Sequence, residues 1–88
     1  MDVQQTKNLG GGHSLEIGNS TWAPDEQRSI RDRWTRADGG FSPRQSSELP
    51  MSSVAPLVEF AAEHDELSVR ECADMISALS SSIARRSQ

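Results

Sequence analysis

The sequence predicts an all-α fold: an antiparallel helical hairpin formed by residues 53–65 and 68–86, a shorter helix over residues 24–38, and a disordered N-terminal tail. Three observations lead to this prediction. Apolar residues recur at helical spacing in the C-terminal half, each predicted helix has a start signal, and residues 1–20 show no periodicity.

The longest predicted helix begins with a capping box, in which Ser68 is followed three positions later by Glu71. Positive charge at Arg85 and Arg86 favours the helix dipole at the other end. The apolar residues keep to one stripe of the helix surface: Val69, Cys72, Ala73, Ile76, Leu79 and Ile83. We therefore expect one amphipathic helix over 68–86.

An alternative divides this stretch in two. Residues 60–86, FAAEHDELSVRECADMISALSSSIARR, resemble a helix-turn-helix DNA-binding unit with its turn at 77–79. The turn position holds Ser77, where such units usually need glycine for a positive φ. Leu79 and Ile83 also stay in phase with the preceding apolar residues, which favours the unbroken helix.

The first arm of the predicted hairpin is residues 53–65, SVAPLVEFAAEHD. Ser53 is suited to cap this helix, and Pro56 is tolerated within its first turn. The apolar face contains Val54, Leu57, Val58, Phe60 and Ala61. Because only a short turn leads to Ser68, we expect the two arms to pack against each other as an αα-hairpin.

The helix over residues 24–38 is predicted from its ends. Pro24 suits the first helical position, two acidic residues follow it, and Gly39-Gly40 ends the segment. Its apolar stripe is thin, so we expect it to persist by docking through Ile30 and Trp34.

The remaining segments are predicted from composition. Residues 1–20 contain Gly10-Gly11-Gly12 and are expected to be a disordered tail. The sequence does not decide whether this tail is a secretion signal. Residues 21–88 are expected to form a single small helical domain, with a flexible linker at 39–52 that is rich in glycine, serine and proline.

Composition limits the environment and the partners. With 88 residues, 34% hydrophobic content and one cysteine, the core is small and has no intramolecular disulfide. We see no signal peptide and no apolar run of membrane-spanning length, so we expect a cytoplasmic chain stabilised by a homodimer or a protein partner. Residues 50–88 carry six acids and three arginines, a net charge of −3, which makes nucleic acid the less favoured partner.

Catalytic, metal and cofactor motifs are not found in the sequence. His13, His64 and Cys72 are not arranged at metal-ligand spacing, and Gly10–Gly12 lacks the lysine of a phosphate-binding loop. We therefore expect a non-enzyme with no cofactor and no small-molecule substrate.

The predicted function is that of a small non-catalytic helical protein-binding module, acting as a regulator, adaptor or inhibitor. The alternative is a helix-turn-helix transcriptional regulator that reads DNA with residues 68–86. The candidate interface residues are aromatic, other apolar and arginine side chains: Trp22, Arg28, Ile30, Arg31, Trp34, Phe60, Met75 and Leu79.

Overall fold

A computed structural model describes residues 1–40, 42 and 46–87. It contains a four-stranded antiparallel sheet and two helices, so the fold is α+β and the prediction of an all-α fold is wrong. The elements in chain order are β1 Asp2–Gly10, β2 His13–Asn19, β3 Arg28–Trp34, β4 Ser47–Pro50, a 3₁₀ turn Met51–Ser53, α1 Val54–Glu63 and α2 Val69–Arg86.

The chain divides into two compact units, Met1–Val54 and Ala55–Gln88. We call the first the sheet unit and the second the helical unit. The sheet has the strand order β1-β2-β3-β4, so each strand pairs with its neighbour in the sequence.

The N-terminal tail is a β-hairpin, and the prediction of disorder there is wrong. β1 pairs with β2 across the glycines 10–12, all of which have positive φ values between 62° and 86°. Glycine adopts this backbone conformation at little steric cost. The three glycines that suggested a loose tail therefore form a tight turn between two strands. A Cβ atom on Gly18 would lie 1.9 Å from the Asp2 carbonyl oxygen, so close pairing of the strands also requires glycine there.

The helix predicted for residues 24–38 is also wrong, because the middle of this segment, Arg28–Trp34, is β3. Its helical start signals produce a single turn, in which the Gln27 N–H donates to the Ala23 carbonyl at 2.9 Å. The chain then extends, and β3 pairs with β2 on one side and β4 on the other. Residues 29–34 therefore alternate between the two faces of the sheet, with a period of two rather than the helical period of 3.6.

The predicted linker at 39–52 contains β4 and most of the 3₁₀ turn. Phe41, Pro43, Arg44 and Gln45, which belong to the same predicted linker, lie outside the described residues.

Both C-terminal helices are present close to their predicted bounds, α1 at Val54–Glu63 and α2 at Val69–Arg86. Asp65, with φ at 57°, lies in the connection between them. The predicted hairpin is nevertheless wrong, because the two helices do not pack along each other and neither has a buried residue. The sequence placed apolar faces on both helices, and in this chain those faces are left open to solvent.

Candidate functional site

The most exposed apolar surface of the helical unit is one stripe along α2, which we call the α2 stripe. It consists of Val69, Cys72, Ile76, Leu79 and Ile83. Val69 is 88% exposed, and the exposed fractions of Ile76, Leu79 and Ile83 lie between 61% and 65%. Aliphatic side chains gain free energy when they leave water, so a contiguous exposed stripe of them indicates a binding surface.

The N-terminus of α2 is fixed by the predicted capping box. The Glu71 N–H donates to Ser68 Oγ at 3.0 Å, and the Ser68 N–H donates to Glu71 Oε1 at 2.9 Å. The bond from the Ser68 backbone, followed by the bond with its side chain, lowers the pKa of the Glu71 carboxyl. The cap therefore defines where the helix begins, and hence which residues form the stripe.

Charged residues of α2 lie away from the stripe. Arg70 Nε donates to both carboxylate oxygens of Asp74 at 3.3 Å, one helical turn further along. Exposed pairs at this spacing contribute only a few tenths of a kcal/mol. Their importance here is that they leave the apolar face without charge.

A second apolar surface lies on α1. Leu57 is 50% exposed and Phe60 is 63% exposed, and the Phe60 ring meets the His64 ring edge-on with centroids 4.9 Å apart. The Glu66 N–H donates to the Ala61 carbonyl at 3.0 Å and so ends the helix close to this ring pair. α1 therefore presents an aromatic anchor near its C-terminus.

In the sheet unit, the two faces of the sheet have opposite character. On the polar face, Glu16 is only 4% exposed and accepts hydrogen bonds from two arginines of the neighbouring strand. Arg31 approaches one carboxylate oxygen to 2.6 Å, and Arg33 approaches the other to 3.5 Å. Arg31, a predicted interface residue, and Arg33 thus both partner the carboxylate of Glu16, which needs such partners because it is buried.

Glu48 extends the polar face on the neighbouring strand. Partial burial alone would raise the pKa of its carboxyl, but hydrogen bonds from the Thr21 backbone, the Thr21 hydroxyl and the Ser29 hydroxyl outweigh burial and lower it. The donor–acceptor distances are 2.9, 2.7 and 2.9 Å respectively. Glu48 therefore ties β4 to β3 and to the chain that leaves β2.

The other face of the sheet is apolar at its centre, where Leu15, Ile17 and Ile30 are half-buried and Leu49 is 39% exposed. At its margin the His13 ring stacks on the Trp34 ring, with centroids 4.0 Å apart and planes 4° from parallel.

Asp32 holds this ring pair from the same strand as Trp34. The Trp34 Nε1–H donates to Asp32 Oδ2 at 3.3 Å, and His13 Nε2 contacts the other carboxylate oxygen. The sequence prediction missed this cluster because His13 was assigned to a tail. The register that brings it opposite Trp34 becomes visible only once 13–19 and 28–34 are read as paired strands.

The predicted interface residues divide between the two units. Phe60 and Leu79 lie on the exposed apolar faces of the helices, and Met75 is half-buried beside the α2 stripe. Trp22, which is 49% exposed, lies between β2 and β3, and its Nε1–H donates to Gln27 Oε1 at 2.7 Å.

The other four predicted interface residues lie on β3 and alternate between its faces, so they do not form one patch. Ile30 and Trp34 belong to the apolar face, with Arg28 on the same side, and Arg31 belongs to the polar face. Arg28 donates to the side chains of Gln4 and Asn19.

Two further features bear on chemistry and on location. Among the described residues, no cluster of three or more His, Cys, Asp or Glu side chains is arranged to hold a metal ion. In the same part of the chain, neither helix has the length and apolar character needed to cross a bilayer.

The proposed turn of a helix-turn-helix unit is absent from α2, which runs without a break from Val69 to Arg86. Ser77–Leu79 are helical, as phase continuity predicted. The alternative function therefore loses the local geometry on which the resemblance depended.

Comparison with other proteins adds no further assignment: no protein-family model, no curated protein and no solved structure gives a significant match to this chain.

Proposed function

We propose that the chain is a non-catalytic protein-binding module that acts as a regulator, adaptor or inhibitor through its helical unit. The observation that carries this proposal is the exposed α2 stripe, where four aliphatic side chains are at least 61% exposed on a well-capped helix. A helix with unpartnered apolar residues is only marginally stable in water, and most helices gain stability by packing that face.

The energetic scale supports a protein partner. Full burial of one exposed aliphatic side chain contributes roughly 1.5–3 kcal/mol, so covering the exposed part of the four aliphatic residues of the stripe contributes roughly 4–8 kcal/mol. Association costs roughly 4–15 kcal/mol in lost freedom. With a partner that contributes only polar surface, the net free energy of binding would therefore be close to zero. A partner with its own apolar face is favoured.

Charge argues for protein over nucleic acid. Residues 50–88 have a net charge of −3, and the surface that we assign to binding is apolar rather than basic. Nucleic-acid affinity comes largely from contacts between basic side chains and phosphates.

We place the chain in the cytoplasm, where its single thiol at Cys72 stays reduced.

The test is affinity capture from the native host, comparing the wild-type chain with Leu79→Asp and Ser81→Asp. Both variants add one negative charge to an exposed position of the same helix, two residues apart, but only Leu79 belongs to the stripe. Proteins identified by mass spectrometry with the wild type and with Ser81→Asp, and lost with Leu79→Asp, would be the partners. A set of captured proteins that is the same for all three chains would contradict the proposal.

A further inference from the structure

We propose that α2 pairs in parallel with α2 of a second copy of this chain, forming a short two-stranded coiled coil along the α2 stripe. This inference rests on the protein-binding role proposed above and names the partner for one of its surfaces.

The spacing of the stripe is that of a coiled coil. Successive members are separated by three, four, three and four residues, which is the heptad rule for two-stranded supercoils. In heptad notation Val69, Ile76 and Ile83 occupy position a, and Cys72 and Leu79 occupy position d. The next d position holds Arg86, so the seam ends after about 21 Å of helix at 1.5 Å per residue.

The residue types select the number of strands in a parallel coiled coil. All three a positions hold β-branched residues, and the central d position holds Leu79. β-Branched residues at a combined with leucine at d favour parallel dimers over trimers and tetramers. A helix that packed against an arbitrary apolar surface would have no reason to separate the two side-chain shapes in this way.

The flanks of the seam are compatible with self-pairing. Positions e and g, which face the partner across the seam edge, hold uncharged residues: Ala73, Met75, Ser80 and Ser82. The charged residues from Arg70 to Arg85 lie at positions b, c and f, on the outside of such a pair. Two identical helices in register therefore bring no like charges together at these positions, although the helical unit is acidic.

A second copy also satisfies the energetic requirement for an apolar partner. The second copy contributes its own α2 stripe. The apolar area buried is therefore twice that buried by a partner without an apolar face, for the same loss of translational freedom. With only two heptads, the dimer is expected to be weak and to depend on protein concentration.

The oligomeric state gives the first test, using sedimentation of the full chain across a hundredfold range of concentration. We expect the wild type and Ser77→Asp to shift from monomer to dimer, and Ile76→Asp to remain monomeric. Ser77 is exposed and lies at position b, so its variant carries the same added charge outside the seam. In the single chain Ile76 is 65% exposed, so the charge at 76 becomes buried only in the pair.

The direction of the helices gives the second test, because Cys72 is the only cysteine and lies in the seam. In a parallel pair the two Cys72 residues face each other across the axis, whereas in an antiparallel pair Cys72 faces Ile83 of the other chain. Oxidation with diamide, which takes up the two thiol hydrogens, is expected to produce a covalent wild-type dimer. A Cys72→Ala, Ser81→Cys double variant places the thiol outside the seam and serves as the collision control.

Mixing the wild type with a Cys72→Ala, Ile83→Cys double variant separates the two directions. Parallel pairing predicts disulfides that join residue 72 to 72 and residue 83 to 83, identified by mass spectrometry of the cleaved peptides. Disulfides between residues 72 and 83 would overturn the parallel arrangement.

A wild-type chain that is monomeric at every concentration would overturn self-pairing altogether. That result would leave the protein-binding role standing if Leu79→Asp still lost captured partners. If the captured proteins were also the same for the wild type, Ser81→Asp and Leu79→Asp, the proposed function would fall with the inference.

Discussion

Buried polar side chains, rather than apolar ones, mark the best-protected positions of the sheet unit. Ser20 and Ser29 are at most 1% exposed, and Glu16 is 4% exposed. Each has hydrogen-bond partners: Ser20 Oγ accepts from the Ala23 N–H at 3.0 Å, and the Ser29 hydroxyl donates to Glu48. Removing one partner from such a group leaves an unsatisfied buried atom, so these positions should tolerate substitution poorly.

Glu48 makes the stability of the sheet dependent on pH. Its hydrogen bonds lower the folded-state pKa below the ordinary value of 4.5, so the ionised form is stabilised by folding. This stabilisation is fully present above the unfolded-state pKa and is lost as the pH falls through the lower folded-state value. We therefore expect the urea midpoint of the wild type to fall as the pH is lowered below about 5.

The Glu48→Gln variant isolates this contribution, because it keeps the shape of the side chain and cannot titrate. It should be less stable than the wild type at pH 6 and should lose less stability on acidification. Glu26→Gln, at an exposed position of the same unit, is the matched control and should follow the wild type. Identical acid profiles for Glu48→Gln and the wild type would contradict the role assigned to Glu48.

The helices were predictable from the sequence because their signals are local. The capping box of Ser68 and Glu71 lies within one helical turn, and the apolar residues from 69 to 83 repeat with one helical period. α2 has the bounds that these two signals predict. β2 was not predicted, because Leu15 and Ile17 can be recognised as strand residues only when they are seen to pair with Asp32 and Ile30. Strands depend on such distant partners, whereas capped helices do not.

The α2 stripe could be identified from the sequence, but its exposure could not. The spacing of its apolar residues predicted a buried face and therefore a hairpin. That step failed because periodicity specifies which residues share a face and says nothing about what covers it. The ion pair between Arg31 and Glu16 was likewise not predicted, because it depends on the pairing of β2 with β3.

The capping box provides a direct test of how α2 is stabilised. Ser68→Ala removes the hydroxyl that accepts from the Glu71 N–H, and we expect it to destabilise the helix by about 1 kcal/mol. Circular dichroism at 222 nm should show lower helicity, and backbone chemical shifts should show fraying that begins at Val69. Ser81→Ala, in the exposed middle of the helix, should maintain or increase helicity because alanine is the better helix former. Equal helicity in the two variants would argue against the cap.

The whole chain is notable for the weakness of its apolar interior. Among residues 1–40, 42 and 46–87, no apolar side chain is fully buried in either unit. Small domains commonly make up such a deficit by oligomerisation, metals or disulfides. Because the only cysteine is Cys72, association is the route most consistent with this sequence.

Helicity of the intact protein should therefore depend on its concentration. If α2 pairs as proposed, dilution shifts the equilibrium toward single chains, in which α2 loses the packing that stabilises it. We expect the ellipticity per residue at 222 nm to fall on dilution for the wild type and for Ser77→Asp. Ile76→Asp should show the low value throughout. A wild-type signal that is constant over the range in which sedimentation detects a dimer would show that pairing does not stabilise the helix.

The edge strand β1 has a consequence for handling the protein at high concentration. All nine of its residues are exposed, and two register shifts interrupt its pairing with β2, one between Val3 and Gln5 and one between Asn8 and Gly10. Such irregularities shorten the straight backbone edge onto which another strand could add, and Lys7 places a charge between them. Growth of the sheet into fibrils at this edge is thereby disfavoured, so aggregation of β1 should not compete with the pairing proposed for α2.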